Sequence, residues 1–188
     1  MAKLVSNVYG NALFELAVEQ DRVKDYEMEA RGLIQILDEN PDLLQMMTHP
    51  NIDKEEKLNM IETIFKGKAS DEIVGLMRMV VEKNHFKEMR NIFTYFISQA
   101  MDNQNVGVAH VSTPLELSAE KKEEIVKKLL ETTEYVSFEM HYHIEPELIG
   151  GMVVRIGDRV VDSSIRTKIA QLSREMQKIQ LKVGESTP

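Results

Sequence analysis

Residues 145–166 read Glu145-Pro146-Glu147-Leu148-Ile149-Gly150-Gly151-Met152-Val153-Val154-Arg155-Ile156-Gly157-Asp158-Arg159-Val160-Val161-Asp162-Ser163-Ser164-Ile165-Arg166. Residues 152–156 alternate with the period of a strand, Gly157-Asp158 is a turn dipeptide, and residues 159–161 are a second short strand. One of the polar residues 162–164 can then cap a helix with its side-chain oxygen. The pair Gly150-Gly151 permits a bend that a residue with a Cβ resists. The stretch therefore predicts strand, turn, strand and helix.

The residues on either side of this stretch extend the pattern to a small domain. Residues 106–111 predict a strand, Ser118 is placed to cap an amphipathic helix, and residues 136–144 alternate apolar and polar side chains as a strand does. The last helix repeats apolar residues every three or four positions: Ile165, Ile169, Leu172, Met176 and Ile179. This order predicts a small α+β domain over residues 106–188.

Residues 1–105 predict six helices, which make an all-α six-helix bundle. Asp53 with Glu56 resembles a capping box, and Ser70 is placed to cap the fifth helix. The polar tetrad 102–105 is the predicted boundary with the second domain. The apolar stripes are separated by helix-breaking residues: Asn40-Pro41, His49-Pro50, Gly67 and Asn84-His85.

The fifth predicted helix is apolar on nearly every side. Its apolar residues are Ile73, Val74, Leu76, Met77, Met79, Val80 and Val81. A helix of this kind must be buried by something, and a small bundle cannot turn every face inward. Core filling is one interpretation. The other is a groove that accepts an amphipathic helix of a partner.

Composition excludes several classes of protein. The chain has no cysteine, so disulfides and thiolate catalysis are excluded. No apolar run reaches the length of about 18 residues that a transmembrane helix needs, and the N-terminus resembles neither a secretory signal nor a transit peptide. The net charge is −8, with 12 basic and 18 acidic residues in the first 105. Such a surface disfavours nucleic acid and anionic lipid as partners.

Two groups of charged or titratable residues invite a functional interpretation. Glu139, His141 and His143 share one face of a predicted strand and could bind a metal or serve a hydrolase. Nothing supplies a further ligand set, so we interpret them as a solvated polar face. The last helix is basic, which suits either its own dipole or contact with an acidic or helical partner. Its charged residues are Arg166, Lys168, Arg174, Lys178 and Lys182, against Glu175.

The run 148–158, followed by 161–166, resembles the signature of the delta subunit of bacterial F-type ATP synthases, whose mitochondrial counterpart is the oligomycin-sensitivity-conferring protein. Residues 9–19, Tyr-x-x-Ala-Leu-Phe-x-Leu-Ala-x-Glu, are similar to the first helix of that family. The signature and its continuation along the last helix comprise Leu148, Gly150, Gly151, Val154, Ile156, Gly157, Asp158, Asp162, Ile165, Arg166, Ile169 and Leu172.

The resemblance implies two binding domains. The N-terminal domain, residues 1–105, would receive the N-terminal helix of an alpha subunit in a groove between its first and fifth helices. The C-terminal domain, residues 106–188, would meet the C-terminal helices of the b subunits through the signature and the last helix. The groove would be lined by Val5, Tyr9, Ala12, Leu13, Leu16, Leu76, Met79, Val80 and Lys83.

The resemblance also implies a function without chemistry of its own. The chain would be a non-catalytic stator subunit that links the catalytic head to the b-subunit peripheral stalk, so that proton-driven rotation is converted to ATP synthesis. It implies no cofactor, no metal and no catalytic residue. The protein would lie at the cytoplasmic face of the bacterial cell membrane and associate with that membrane only through the complex. The residues by themselves also allow a helix-capturing adaptor outside ATP synthase.

Overall fold

The computed structural model describes the backbone of residues 2–184 and the side chains of residues 3–176. The side chains of Lys178, Ile179 and Lys182, which the sequence places on the last helix, lie outside the described residues. The chain divides into two compact units, of which the first ends at Asn103 and the second begins at Gln104. The division lies in the polar stretch 102–105.

The first unit is helical throughout. Its core is built on the sixth helix, which packs against the first and second helices, while the fourth packs against the fifth. Within the described residues 2–103 the α-helices are α1 (Ala2–Glu19), α2 (Val23–Glu39), α3 (Pro41–Thr48), α4 (Lys54–Phe65), α5 (Asp71–Glu82) and α6 (Met89–Asn103). The side chains that α6 buries are Met89, Ile92, Phe93, Phe96, Ile97, Ala100 and Met101.

Helix α1 turns a stripe of mostly small residues toward the core. Ser6, Gly10, Leu13 and Ala17 are buried at helical spacing. A Cβ built on Gly10 would fall 2.5 Å from Cδ1 of Tyr95, so only a glycine lets α1 approach α6 so closely. The larger apolar side chains of α1 are consequently left for its other faces.

A polar cluster ties the α1–α2 turn to the start of α5. The carboxylate of Glu29 accepts hydrogen bonds from the backbone N–H of Ser70 (2.7 Å) and from its Oγ (2.6 Å). Arg22 Nη2 donates to the same Oγ (3.1 Å), and Gln20 Nε2 donates to Oε1 of Glu72 (3.2 Å). A carboxylate near the N-terminus of a helix complements the helix dipole.

Asp53 and Ser70 lie at the predicted N-cap positions of α4 and α5, but neither makes the side-chain cap bond that the sequence predicts. The hydroxyl of Ser70 is engaged with Glu29 and makes no side-chain cap bond to α5. Asp53 makes none to α4. The prediction used residues local to each helix, whereas the acceptor at α5 comes from α2, 41 positions earlier in the chain.

The second unit is a four-stranded mixed sheet with a helix on one face. Its described elements are β1 (Val106–Thr113), α7 (Ala119–Thr132), β2 (Ser137–Ile144), a single helical turn (Pro146–Leu148), β3 (Val153–Ile156), β4 (Arg159–Asp162) and α8 (Ile165–Gly184). The strand order is β2-β1-β3-β4, with β1 parallel to β2 and antiparallel to β3. Ser118 caps α7 as predicted, since its Oγ accepts from the N–H of Lys121. Val111, Ile125 and Val154 form the core between α7 and the sheet.

We expect replacement of Glu29 by alanine to destabilise the protein by about 1–3 kcal/mol, because the N–H and hydroxyl of Ser70 lose a charged acceptor. Asp38→Ala is the matched control, since it breaks the exposed ion pair with Arg90 (2.8 Å) and should cost less stability because solvent screens that pair. Urea unfolding of the two variants measures the difference. Equal losses would show that the cluster contributes no more than a surface pair.

Candidate functional site

The nine residues predicted to line a groove between α1 and α5 divide by burial. Leu13, Leu76 and Val80 lie in the core of the first unit, at 2%, 8% and 0% exposure. Their side chains are therefore buried within the unit, and their place in a groove for a partner helix remains a prediction. The physical reason on α1 is that Leu13 belongs to the stripe packed toward the interior.

The other six predicted groove residues reach the surface to different degrees. Val5, Tyr9 and Leu16 are half-buried, and Ala12, Met79 and Lys83 are exposed. Met79 is 51% exposed, the largest exposure of an apolar side chain on α5. The prediction also omitted three exposed apolar residues of α1, Leu4, Val8 and Val18. We call these six residues, the members of the prediction that reach the surface, the α1–α5 surface.

The glycine pair of the signature holds the start of α8 against the sheet. The N–H of Ser163 donates to the carbonyl of Met152, and the N–H of Ile165 donates to the carbonyl of Gly150, both at 2.9 Å. Gly151 has φ +74°, and a Cβ there would lie 2.4 Å from the carbonyl oxygen of Ser163. The signature therefore encodes a close backbone contact that excludes every residue but glycine at position 151.

One of the three candidate caps is used as a cap. Ser164 Oγ accepts from the N–H of Thr167 at 3.2 Å, whereas Ser163 Oγ donates to the carbonyl of Met152. Asp162 supports the cap by accepting from the N–H of Ser164 (2.8 Å) and from Oγ1 of Thr167 (2.7 Å). These hydrogen bonds, from Ser164 first and Thr167 second, hold the pKa of Asp162 below its usual value.

The residue between Leu148 and Gly150 has an unusual backbone. Ile149 has φ +66° and ψ −42°, and the N–H of Gly150 donates to the carbonyl of Leu148 at 2.7 Å. This is a γ-turn with a positive φ at its centre, a rare and strained form. Leu148 is fully buried while Ile149 is 63% exposed, so the turn sends two adjacent apolar side chains in different directions.

Helix α8 presents an uncovered apolar stripe, which we call the α8 surface: Ile165, Ile169, Leu172 and Met176. These side chains are 42–67% exposed. The described side chains of the helix include three basic residues, Arg166, Lys168 and Arg174, against one acidic residue, Glu175. The stripe is therefore apolar with a basic border.

The remaining members of the signature build the sheet. Val154 is buried in the core beside α7, and Ile156 packs against that core. Gly157, with φ +54°, and Asp158 form the turn between β3 and β4. Val154 and Ile156 therefore belong to the core of the domain, whereas Gly157 and Asp158 lie in an exposed turn.

The sheet face opposite α7 carries three histidines. His110 of β1 lies between His141 and His143 of β2, with ring centroids 4.9 and 5.8 Å apart and planes within 19° of parallel. Desolvation of the sandwiched ring, followed by repulsion from His141, His143 and Arg155, lowers the pKa of His110. Sequence reasoning put His141 and His143 on one face but missed His110, because only the parallel register with β2 brings it there.

This sheet face borders a concavity with a volume of about 680 Å³. The residues that line it include His110, His143, Arg155 and Asp162. The side chain of Glu139 pairs with Nε2 of His141 at 3.0 Å. Among the described residues, no group of three or more His, Asp or Glu side chains is arranged to hold a metal ion.

Comparison with known proteins identifies the family. The family model described as "ATP synthase delta (OSCP) subunit" matches residues 5–176. The chain belongs to this family. Delta (OSCP) subunits are non-catalytic, stator-related subunits of the ATP synthase complex. None of the helices in the described part of this delta-family chain has the length and apolar character that crossing a membrane requires.

Individual relatives agree with this assignment. The chain is 44% identical to the ATP synthase subunit delta of Lachnoclostridium phytofermentans, over 96% of this chain and all of that protein. It is 32% identical to the subunit delta of Desulforamulus reducens, over 93% and 96% of the two chains. Its fold is similar to a chain in the Toxoplasma gondii mitochondrial ATP synthase hexamer, with a TM-score of 0.71 and 13% identity, covering 92% of this chain and 97% of that one.

We call the close backbone contact of Gly150 and Gly151 with the start of α8 the glycine clamp. It predicts that replacement by alanine costs more stability at Gly151 than at Gly157. Gly151→Ala should lower the free energy of unfolding by about 1–2 kcal/mol, because alanine is strained at a positive φ. It should lower it by about 1–3 kcal/mol more, because the new Cβ displaces the backbone of Ser163. Gly157→Ala is the control, because its φ is also positive but a Cβ there meets nothing within 4 Å. Urea unfolding of both variants tests this. Similar losses at the two positions would contradict the clamp.

The histidine stack predicts a dependence of stability on pH. The pKa of His110 is lowered in the folded state, so the unfolded chain binds this proton more readily below its ordinary pKa of about 6.5. The contribution of neutral His110 to the free energy of unfolding is therefore fully present above that pH. It is lost as the pH falls toward the pKa of His110 in the folded state. The wild type should therefore lose more stability between pH 8 and pH 5 than His110→Gln, as measured by urea midpoints. Parallel curves for the two proteins would refute the expectation.

Proposed function

We propose that this delta-family chain links the catalytic alpha/beta head of ATP synthase to the b-subunit peripheral stalk. The observation that carries the proposal is that each compact unit has its own uncovered apolar surface. The α1–α5 surface belongs to the first unit and the α8 surface to the second. A linker that joins two different partners needs two such surfaces.

The α1–α5 surface suits an amphipathic helix from the alpha subunit. It offers a half-buried aromatic ring in Tyr9, the small residue Ala12, the long apolar side chain of Met79 and the cationic Lys83 at its end. Methionine adapts to the shape of a partner helix. Buried Leu13 and Val80 support these side chains from within, so we assign the contact to the exposed members of the predicted set.

The α8 surface suits the C-terminal helices of the b subunits. Its apolar residues are spaced by four, three and four positions, which is the spacing of a seam that packs against a neighbouring helix. The basic residues on its border favour an acidic partner. The backbone clamp at Gly150 and Gly151 fixes where this helix leaves the sheet.

The mechanism is mechanical. Proton-driven rotation of the central rotor exerts a torque on the catalytic head, and the head turns with the rotor unless a static strut holds it. Two helix-binding interfaces on one chain would transmit the opposing force from the strut to the head. Interfaces of this kind depend on buried area and a few anchor residues. The subunit would act at the cytoplasmic face of the cell membrane, held there by the complex.

The first contact can be tested by calorimetric titration of the full chain with a synthetic peptide of the alpha subunit's N-terminal segment. We expect one-to-one binding, and a loss of at least about tenfold in affinity for Ala12→Glu and for Met79→Glu, because each buries a charge in the interface. Met28→Glu is the matched control, since Met28 is an exposed methionine on α2 (73%), outside the α1–α5 surface.

Circular dichroism of each variant confirms that the chain is folded. A folded wild-type chain that does not bind the peptide would contradict the proposal for the first unit. Equal weakening by Met28→Glu would place the contact elsewhere on that unit. In the first case the helix-capturing adaptor becomes the better interpretation of the exposed apolar residues.

A further inference from the structure

Ile149 occupies a backbone conformation that its own side chain disfavours. Its φ of +66° lies in a region where residues with a branched Cβ are genuine outliers. Glycine adopts the same conformation freely. The two positions that follow are glycine, yet position 149 is not.

The second unit gains little from an isoleucine at this position. The side chain is 63% exposed, so it contributes little to the core. The turn is held by other groups, namely the fully buried side chain of Leu148 and the backbone bonds from Ile149 to Pro146 and from Gly150 to Leu148. Backbone strain at Ile149 that is not offset by a gain in stability indicates that this residue has a role at the surface.

Ile149 lies next to the start of α8 along the backbone. The residue after it, Gly150, accepts a hydrogen bond from the N–H of Ile165 (2.9 Å), and Cδ1 of Ile165 is 2.5 Å from the point where a Cβ of Gly150 would be. Helix α8 also contacts the helical turn that ends at Leu148. The exposed Ile149 is therefore flanked on both sides by residues that meet the first turn of α8.

The charges around the α8 surface indicate its occupant. Arg166, Lys168 and Arg174 border it, and Arg166 is also 3.6 Å from the carboxylate of Glu147. The chain as a whole has a net charge of −8, so this basic border contrasts with the rest of the molecule. The complementary partner is an acidic amphipathic helix.

We infer that Ile149 is an anchor residue for the b-subunit helix. The strained turn holds an exposed isoleucine beside the first turn of α8, and branching at Cβ leaves this side chain few χ1 rotamers. A side chain that is fixed before binding loses little conformational entropy when it is buried by the partner. This inference rests on the proposed function, because it names a residue of the same C-terminal contact.

The experiment combines thermal unfolding with calorimetric titration of the full chain. The probe is a synthetic peptide of the C-terminal segment of the b subunit from the same organism. For Ile149→Gly we expect a Tm equal to or above that of the wild type and a Kd at least tenfold higher. A residue with a merely structural role would show the opposite pattern, with a lower Tm and an unchanged Kd.

Ile144→Gly provides the matched control. Ile144 is an isoleucine of similar exposure (59%) at the end of β2, and its φ is not positive. This variant should lower the Tm and leave the Kd unchanged. If the wild type binds the peptide and Ile149→Gly binds it with the same Kd, the inference is overturned and the proposed function stands. A wild-type chain that does not bind the peptide would overturn both for this contact, and a Tm of Ile149→Gly below that of the wild type would show that the residue stabilises the domain.

Discussion

Two backbone hydrogen bonds at the start of α8 determine what the second unit can present to a partner. They join Ser163 to Met152 and Ile165 to Gly150, and they form only because Gly151 has no Cβ to meet the carbonyl of Ser163. Main-chain groups therefore fix the departure of α8 from the sheet. The side chains farther along the helix are not needed for this purpose, which leaves its apolar stripe uncovered.

The family signature combines two kinds of residue within 25 positions. Leu148, Gly151 and Val154 are required by packing or by the clamp, whereas Ile169 and Leu172 are exposed. A similar separation holds on α1, where Leu13 and three small residues face inward while Leu4, Val8 and Val18 are exposed. In both units the backbone and the small residues set the geometry, and larger side chains remain available for contact with another protein.

Local patterns predicted the helix breaks, the alternation of β2, the turn at Gly157-Asp158 and the cap at Ser118, because each depends on a few neighbouring residues. The missing features depend on distant parts of the chain. The inner stripe of α1 could not be read from hydrophobicity, since its members include serine, glycine and alanine selected for close approach to α6. Glu29 reaches Ser70 across 41 positions, and His110 joins His141 through strand register. The positive φ of Ile149 contradicts what its residue type predicts.

The polar cluster of Arg22, Glu29 and Ser70 has a kinetic consequence for the first unit. It fastens the end of α1 to the beginning of α5, the two helices proposed to frame the alpha-subunit contact. A contact surface whose two helices are fastened in place does not have to rearrange before a partner docks. Association would then proceed at the rate of an ordinary docking encounter, about 10⁵–10⁷ M⁻¹s⁻¹. Differences in the affinity for the alpha subunit would then arise from the dissociation rate, which also sets the lifetime of the complex. For a part that must stay attached under repeated torque, a long lifetime matters more than fast capture.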